Sequence, residues 1–412
     1  MSVIAEETGI LPVVFGGDAG AYTLGLECYE AFGTKSLCVA AAPVELITRS
    51  NIFEHWPIVA KASDEQRLEV LRQIAERYPD RDLLLLSNSD GTVGFFARQR
   101  EQIPSRYRIP FPTESTIKLL GDKVSFARVC EEQGVSTPKT LVADLSLDEG
   151  DFDLDISSLK FPVVAKPASG APYEKVSFPG KKNIYFLESE EELDGLWKAL
   201  RKAGFKDSFL VQEMIPGGDE QMRSLTFYVD SHGRVTLKSA AQVLLQDPSP
   251  ILIGNPVAMI TESNPQMWEQ AEKLLAVGNY TGFANFDIKV DPRDGTAYFL
   301  EVNPRIGRNC YYVIAAGANP MSVMAADLFA GEEVSPVIAD APALYTLVPV
   351  SLVKREVKNK DLLKRVNTLV KQHRVVNPLE SFVETDRRRR AVAFLQKYNY
   401  YRKFWRHRAD LR

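Results

Sequence analysis

FANFDIKV (283–290) and AYFLEVNPR (297–305), joined by DPRDG (291–295), decide how this chain folds and where its chemistry sits. Both outer stretches are apolar and rich in β-branched and aromatic residues. The Asp-Pro and Asp-Gly pairs between them make a turn, so the three together predict a β-hairpin. Asp287 falls on the first strand, while Glu301 and Asn303 fall two apart on the second and therefore share a face. Glu301 stands in FLEV, where a buried charge is expensive without a cation. Oxygen donors on one face suit Mg²⁺, with Mn²⁺ as the alternative, because such an ion keeps waters and shares phosphate oxygens rather than demanding a full protein cage.

Upstream of the hairpin, strands are predicted around 223–229 and 234–244. SFLVQEMIPGGDE (208–220) is a strand running into a glycine turn. Such a segment, with free backbone groups and two acids, can meet an adenine edge with its backbone and a ribose with a carboxylate. PVVAKP (162–167) is a buried strand carrying Lys166, followed by the Gly-, Pro- and Lys-rich loop 169–182. Thr113 caps a helix through Leu120, and Asp122 caps a second through Gln133, stopped by Gly134 and Pro138. Lys123 opens that second helix, so Lys123 and Lys166 are two point charges suited to phosphates. The acidic stretch 148–155 reads as a solvated connection.

The first hundred residues have a different rhythm. LPVVF (11–15), a GGDAG turn, a helix to about Phe32 and a strand at 36–42 come first; a charged helix at 63–78 and LLLLS (83–87) follow. This order implies a parallel sheet with right-handed crossovers. GGDAGAY does not match the dinucleotide fingerprint GxGxxG, so a tight strand-to-helix turn is the better reading. Asp18 and the loop Asn88-Ser89-Asp90 remain candidates for holding a small substrate, since ligands of open α/β sheets sit outside the carboxyl ends of strands.

The expected class is therefore α/β, with α+β character around the hairpin. The expected units are a parallel domain at 1–111, a nucleotide- and metal-binding unit at 112–335 with a flap-bearing part at about 135–215, and a C-terminal segment at 336–412. With 45% apolar and 25% charged residues in 412, the chain has ample material for such cores. Four cysteines show no metal or disulfide spacing, four histidines form no HExxH, and no apolar run reaches the roughly 18 residues of a membrane span. A reduced, cytoplasmic protein without a secretory leader is expected. The net charge of -4 hides a tail, 387–412, that carries ten Lys or Arg against one acid and interleaves them with six aromatics. A terminal helix docking its aromatics accounts for that composition. So does a peripheral contact with an anionic membrane face, whereas nucleic-acid binding fits poorly with an otherwise acidic chain.

Taken one at a time, most of these residues have simpler explanations. Lys166 could snorkel, Asp287 and Lys289 could pair on a surface, and Asn303-Pro304 could only start a turn. In combination and in order, KPASG (166–170), LVQEMIPG (210–217), FDIKVD (286–291) and EVNPRIGR (301–308) resemble the ATP-grasp carboxylate–amine ligases over about 112–330. The resemblance implies that Lys123 and Lys166 bind ATP phosphates, that Glu213 to Ile215 meet adenine, and that Glu220 meets ribose. It also implies that Asp287, Glu301 and Asn303 hold the metal ions, with Glu301 bridging two. Arg305 would stabilise charge on the transferred phosphoryl group, and 169–182 would be a mobile flap. EVNPRIGRNCYYVIAAGANP (301–320), with IGNP (253–256), is further similar to the D-aspartate ligases of peptidoglycan cross-bridge synthesis. That similarity implies an aspartate activated as an acyl phosphate and coupled to a side-chain amine of a cell-wall precursor.

Such chemistry needs alignment and charge neutralisation rather than a nucleophilic Ser, Cys or His, in keeping with the few histidines. Arg308, Tyr311 and Tyr312 could hold the amino acid, although the tyrosines fit a core equally well. Another amino-acid or dipeptide ligase, a phosphotransferase of the same fold, and a non-catalytic ATP-binding regulator are the competing readings. The amine's base and the oligomeric state are not encoded in any motif.

Overall fold

The computed structural model describes residues 9–147, 154–168, 170–250, 252, 254–331 and 333–407. Most of the acidic stretch 148–155, Ser169 of the loop, Ile253 of IGNP and the last five residues of the tail lie outside the described residues.

Three sheets build the molecule. The first is fully parallel, with spatial order Phe53–Pro57, Ser36–Ala40, Ile10–Phe15, Asp82–Leu86, Tyr107–Arg108. Its central strand Ile10–Phe15 is buried along its whole length, as expected where helices cover both faces of a parallel sheet. Strand order reverses between Ile10–Phe15 and Asp82–Leu86, which makes their carboxyl ends the crevice of this domain. The strand at 53–57 has no counterpart in the sequence reading. It is an edge strand that ends on proline and exposes Glu54 and His55, so it lacks an apolar signature.

The second sheet is antiparallel, ordered Thr140–Asp144, Ser208–Glu213, Val163–Pro167, Tyr185–Leu187. The loop 169–182 is more structured than its composition suggests. It opens with a short helix, Gly170–Glu174, whose Tyr173 is buried among Phe178, Phe205 and Phe209. The Tyr173 hydroxyl donates to the Lys182 carbonyl at 2.6 Å, and the Lys181 ammonium donates to the Tyr173 and Val176 carbonyls at 2.8 and 2.7 Å.

The third sheet has eight strands and contains the hairpin, Gly282–Val290 with Ala297–Asn303, at one edge. Strands Met222–Val229, Val235–Gln246 and Pro256–Glu262 continue it. The short strands Val337–Ala339, Leu344–Thr346 and Val375–Val376 belong to the same sheet, so the boundary expected at 335 falls inside a packed unit. Two- and three-residue strands carry no readable alternation. Second and third sheets are stitched together at 136–137. There the Phe299 amide donates to the Ser136 carbonyl at 2.8 Å, and Thr137 Oγ1 donates to the Phe299 carbonyl at 2.9 Å.

The basic tail forms the helix Arg387–Arg406, capped by Asp386. It docks, burying Ala393, Phe404 and the whole of Arg389. Arg389 pairs with Glu384 at 3.2 Å and donates to the Leu46 carbonyl at 3.0 Å, while Glu384 accepts from Ser50 Oγ and the Asn51 amide. The tail is thereby locked onto the N-terminal domain.

Candidate active site

The hairpin sets the geometry. Asp287 stands opposite Glu301, and Asn285 opposite Asn303, with a bulge just beyond Asp287. Because 285 pairs with 303 and 287 with 301 before the register shifts, period-two alternation puts both carboxylates and the Asn303 amide on one face of the hairpin. Asn303 Nδ2 donates to Asp287 Oδ2 at 3.1 Å, and its Oδ1 accepts from Arg305 at 3.2 Å. Lys123, at the start of its helix, reaches Glu301 at 4.0 Å. From the second sheet Lys166 joins the same field of charge.

The electrostatics show how crowded this field is. Burial, and then the neighbouring Glu301, push Asp287 well above the usual carboxylate range. Burial alone would raise Glu301 as well, but Lys123, Lys166 and Arg305 together hold it below its ordinary value. Burial and the nearby Lys123 bring the Lys166 ammonium down to about 8, partly countered by Glu301 and Asp287. Two adjacent carboxylates and an amide oxygen form a hard-oxygen set that a divalent cation would relieve. Among the described residues no group of three or more His, Cys, Asp or Glu side chains forms a cage. The remaining ligand positions would fall to water and phosphate oxygens.

The strap 213–220 runs along one side. The Glu213 amide is already used by the Lys139 carbonyl at 2.9 Å, whereas the Ile215 amide has no partner among the described residues and Met214 lies beyond the strand. Gly217, at φ 94°, makes the turn; a side chain there would strike Gln221, which explains the glycine. Glu220 sits in the single turn Asp219–Gln221, and its carbonyl is held by Arg223 at 3.0 Å and Gln242 at 2.9 Å. Arg223, Gln242 and Asn285 are residues the sequence reading missed. Only Asn285 carried a signal, being two before Asp287 on the same strand.

The hairpin's outgoing chain meets the crevice of the first sheet. Arg305 is clamped by Asp90, with Nε to Oδ1 at 2.8 Å and an Nη2 contact to Oδ2 at 3.2 Å. Arg308 pairs with Asp18 at 2.7 Å, and the other Asp18 oxygen caps helix Ala19–Phe32 through the Ala21 amide. Asn88 is 5% exposed, and its Nδ2 has no partner among the described residues. A Cβ on Gly20 would lie 2.3 Å from that nitrogen and 3.1 Å from Arg308 Cγ, so glycine lets the two domains close around this point. Ser89 starts the helix Asp90–Arg98 without capping it by its side chain. Asp18, Asn88, Ser89, Asp90, Arg305 and Arg308 thus meet where the strand order reverses.

Tyr311 does not join them. The helix Tyr311–Ala315 turns it under Ala19–Phe32, where its hydroxyl donates to buried Glu30 at 2.7 Å. Tyr312 is likewise buried, donating to Thr226 at 2.9 Å. The core reading of both tyrosines prevails, because each ring is buried in the large apolar cluster and each hydroxyl finds its partner there.

Comparisons with known proteins bear on the family and the fold. Residues 120–308 match the ATP-grasp domain family. D-aspartate ligase of Enterococcus faecium is 34% identical over 320 residues, which cover 76% of this chain and 75% of that one. Among solved structures, N5-carboxyaminoimidazole synthetase from Staphylococcus aureus superposes with a TM-score of 0.60 at 14% identity, covering 82% of each chain. L-amino acid ligase from Bacillus licheniformis does so with a TM-score of 0.55 at 16% identity, covering 79% of this chain and 77% of that one. The two structural likenesses speak for the fold.

Proposed function

Since the chain belongs to the ATP-grasp carboxylate–amine ligases, we propose that it joins aspartate, in its D-form, to a side-chain amine of a peptidoglycan precursor. The enzyme is an ATP-dependent, amide-forming ligase, and ligases of this family use ATP with a divalent metal. The relative named D-aspartate ligase supports the amino acid and its chirality. The observation that carries the substrate reading is the pair of arginine–aspartate contacts, Arg305–Asp90 and Arg308–Asp18, beside the crowded carboxylates.

Aspartate has two carboxylates and one ammonium. In this reading Arg308 and the unpartnered Asn88 Nδ2 receive the carboxylate that does not react, and Asp18 turns to the ammonium. Arg305, steadied by Asp90 and Asn303, faces the carboxylate that is phosphorylated, and Ser89 borders the same crevice. Lys123 and Lys166 hold the phosphates; the strap from Glu213 through Met214 to Ile215, with Glu220, holds the nucleoside. Asp287, Glu301 and Asn303 would hold Mg²⁺, which supplies neutralisation of phosphate charge when bound. Phosphoryl transfer to the carboxylate oxygen gives an acyl phosphate. Attack by an unprotonated amine on its carbonyl then forms the amide and expels phosphate. Four free, buried cysteines are consistent with a cytoplasmic setting, where ATP and precursor meet. Among the described residues no helix is long and apolar enough to cross a membrane.

The test is ADP release with D-aspartate, L-aspartate and D-alanine, each with and without a lysine-containing stem peptide, with mass analysis of the product. D-aspartate-dependent ADP release and an amide-linked product are expected. Preference for another amino acid would replace the substrate, and a phosphorylated product without an amide would replace the reaction.

A further inference from the structure

The tail helix has a second face that docking leaves unused. The ten basic residues of the tail 387–412 divide sharply. Arg389 is buried against Glu384, Lys397 pairs with Glu380, and Lys403 pairs with Asp247. Arg387, Arg388, Arg390, Arg402 and Arg406 are exposed and make no ion pair with a described residue; Arg408 and Arg412 lie outside the described residues. Among those five arginines stand Phe394 at 54% exposure, Leu395 at 65%, Tyr398 at 45% and Trp405 at 74%. At 100° per residue these nine side chains fill one half of the helix circumference, opposite Arg389, Ala393 and Phe404. Helix Arg387–Arg406 contains no acid at all.

An exposed helical half-cylinder of arginine with Phe, Leu, Tyr and Trp is the composition of an interfacial helix, in which apolar groups enter the headgroup boundary and cations meet anionic lipid. We infer that this face docks the enzyme on an anionic bilayer surface. Charge complementarity selects that occupant. A second copy of the helix would set five arginines against five, which repel. Nucleic acid would satisfy the arginines and could stack on the aromatic rings, but it gives aliphatic Leu395 no apolar phase to enter. The helix is already folded and pinned near both ends by Arg389 and by Lys403 with Phe404, so binding incurs little ordering cost. Residues 1–386 are net acidic, with 53 acids against 40 bases, and would be repelled by the same surface. Screening over roughly 10 Å at 0.1 M salt confines that repulsion and leaves the basic face as the side that approaches.

The experiment is vesicle co-sedimentation of the full chain, using phosphatidylcholine with or without roughly 30% phosphatidylglycerol, at low salt and at about 1 M salt. Binding to the anionic vesicles alone, released by salt, is expected, with a blue shift of tryptophan emission that Trp405→Phe abolishes. Reversing Arg402 and Arg406 to Glu should weaken partitioning by at least about fivefold per site. Phe394→Ser with Trp405→Ser should weaken it about tenfold or more. Arg402→Gln with Arg406→Gln should act in the same direction with a smaller effect. All these side chains are exposed, so melting temperature and ADP release in solution should not move; that control separates lost docking from lost fold. No binding to anionic vesicles, equal and salt-insensitive binding to neutral ones, or vesicle binding indifferent to these substitutions would overturn the inference. Retention of RNA without retention of vesicles would overturn it too.

Discussion

Two arginine–carboxylate pairs lie against the N-terminal domain: Arg389–Glu384, both from the C-terminal segment and bonded to Leu46, Ser50 and Asn51, and Arg308–Asp18, which itself crosses between the halves. Arg389–Glu384 is sealed, with both side chains 0% exposed, and its carboxylate has two further donors in Ser50 and Asn51. Arg308–Asp18 is open, at 44% and 43% exposure, and among the described residues its only other bond is the helix cap. A sealed pair cannot lose one member without stranding a buried charge. An open pair contributes little to stability and can exchange its partner for a substrate's ion. Burial, more than the contact itself, separates a clamp from a receptor.

The largest expected effect breaks the clamp. Arg389→Met should cost about 3–5 kcal/mol of unfolding free energy, since Glu384 is left buried without its cation. Denaturant melts would show this, and a loss below about 1 kcal/mol would mean that the site relaxes to admit water. Glu301→Gln, between the two sheets, should leave stability near wild type. It should nonetheless remove at least two decades of turnover, on the order of 3 kcal/mol in the transition state. Near-normal ADP release at saturating Mg²⁺ would remove Glu301 from the metal set.

Asp18→Asn probes the open pair. We expect unfolding free energy to change by less than about 1 kcal/mol, with KM for the amino acid rising about tenfold and kcat changing less. A stability loss like that of Arg389→Met, with KM unmoved, would make the open pair a second clamp. The smallest effect concerns the loop 169–182. Tyr173 should keep helix 170–174 equally protected with and without an ATP analogue, while amides of 175–180 exchange on the order of tenfold more slowly with it. Equal exchange across the whole loop in both states would show that the Tyr173 anchor leaves nothing to close.

The hairpin was legible because its charges interrupt apolar strands. Asp287 and Glu301 must be balanced by something, and period-two alternation says which face they share. The capped helices at 114–121 and 123–132 were legible for a similar local reason, each having a side-chain acceptor at its first turn. Asp18 and Arg308 were each visible as candidates, but their contact was not. Nothing in a linear chain reports that a strand-to-helix turn will face a hairpin 290 residues away. Tyr311 shows the same limit from the other side, since its place in EVNPRIGRNCYY suits a site and only packing under Ala19–Phe32 puts it in the core.

The sequence by itself determined the alternation of strands and helices, the hairpin with its three oxygen-bearing side chains, and Lys123 and Lys166 as candidate phosphate ligands, because propensity, capping and the cost of burying charge act over a few residues. Only the tertiary structure decided which of the eight described basic residues of the tail is buried, which are paired and which face water. The same holds for which Arg–Asp contacts close the crevice, and for how strands of two and three residues complete the large sheet. Those outcomes depend on burial, and burial is set by elements hundreds of residues apart.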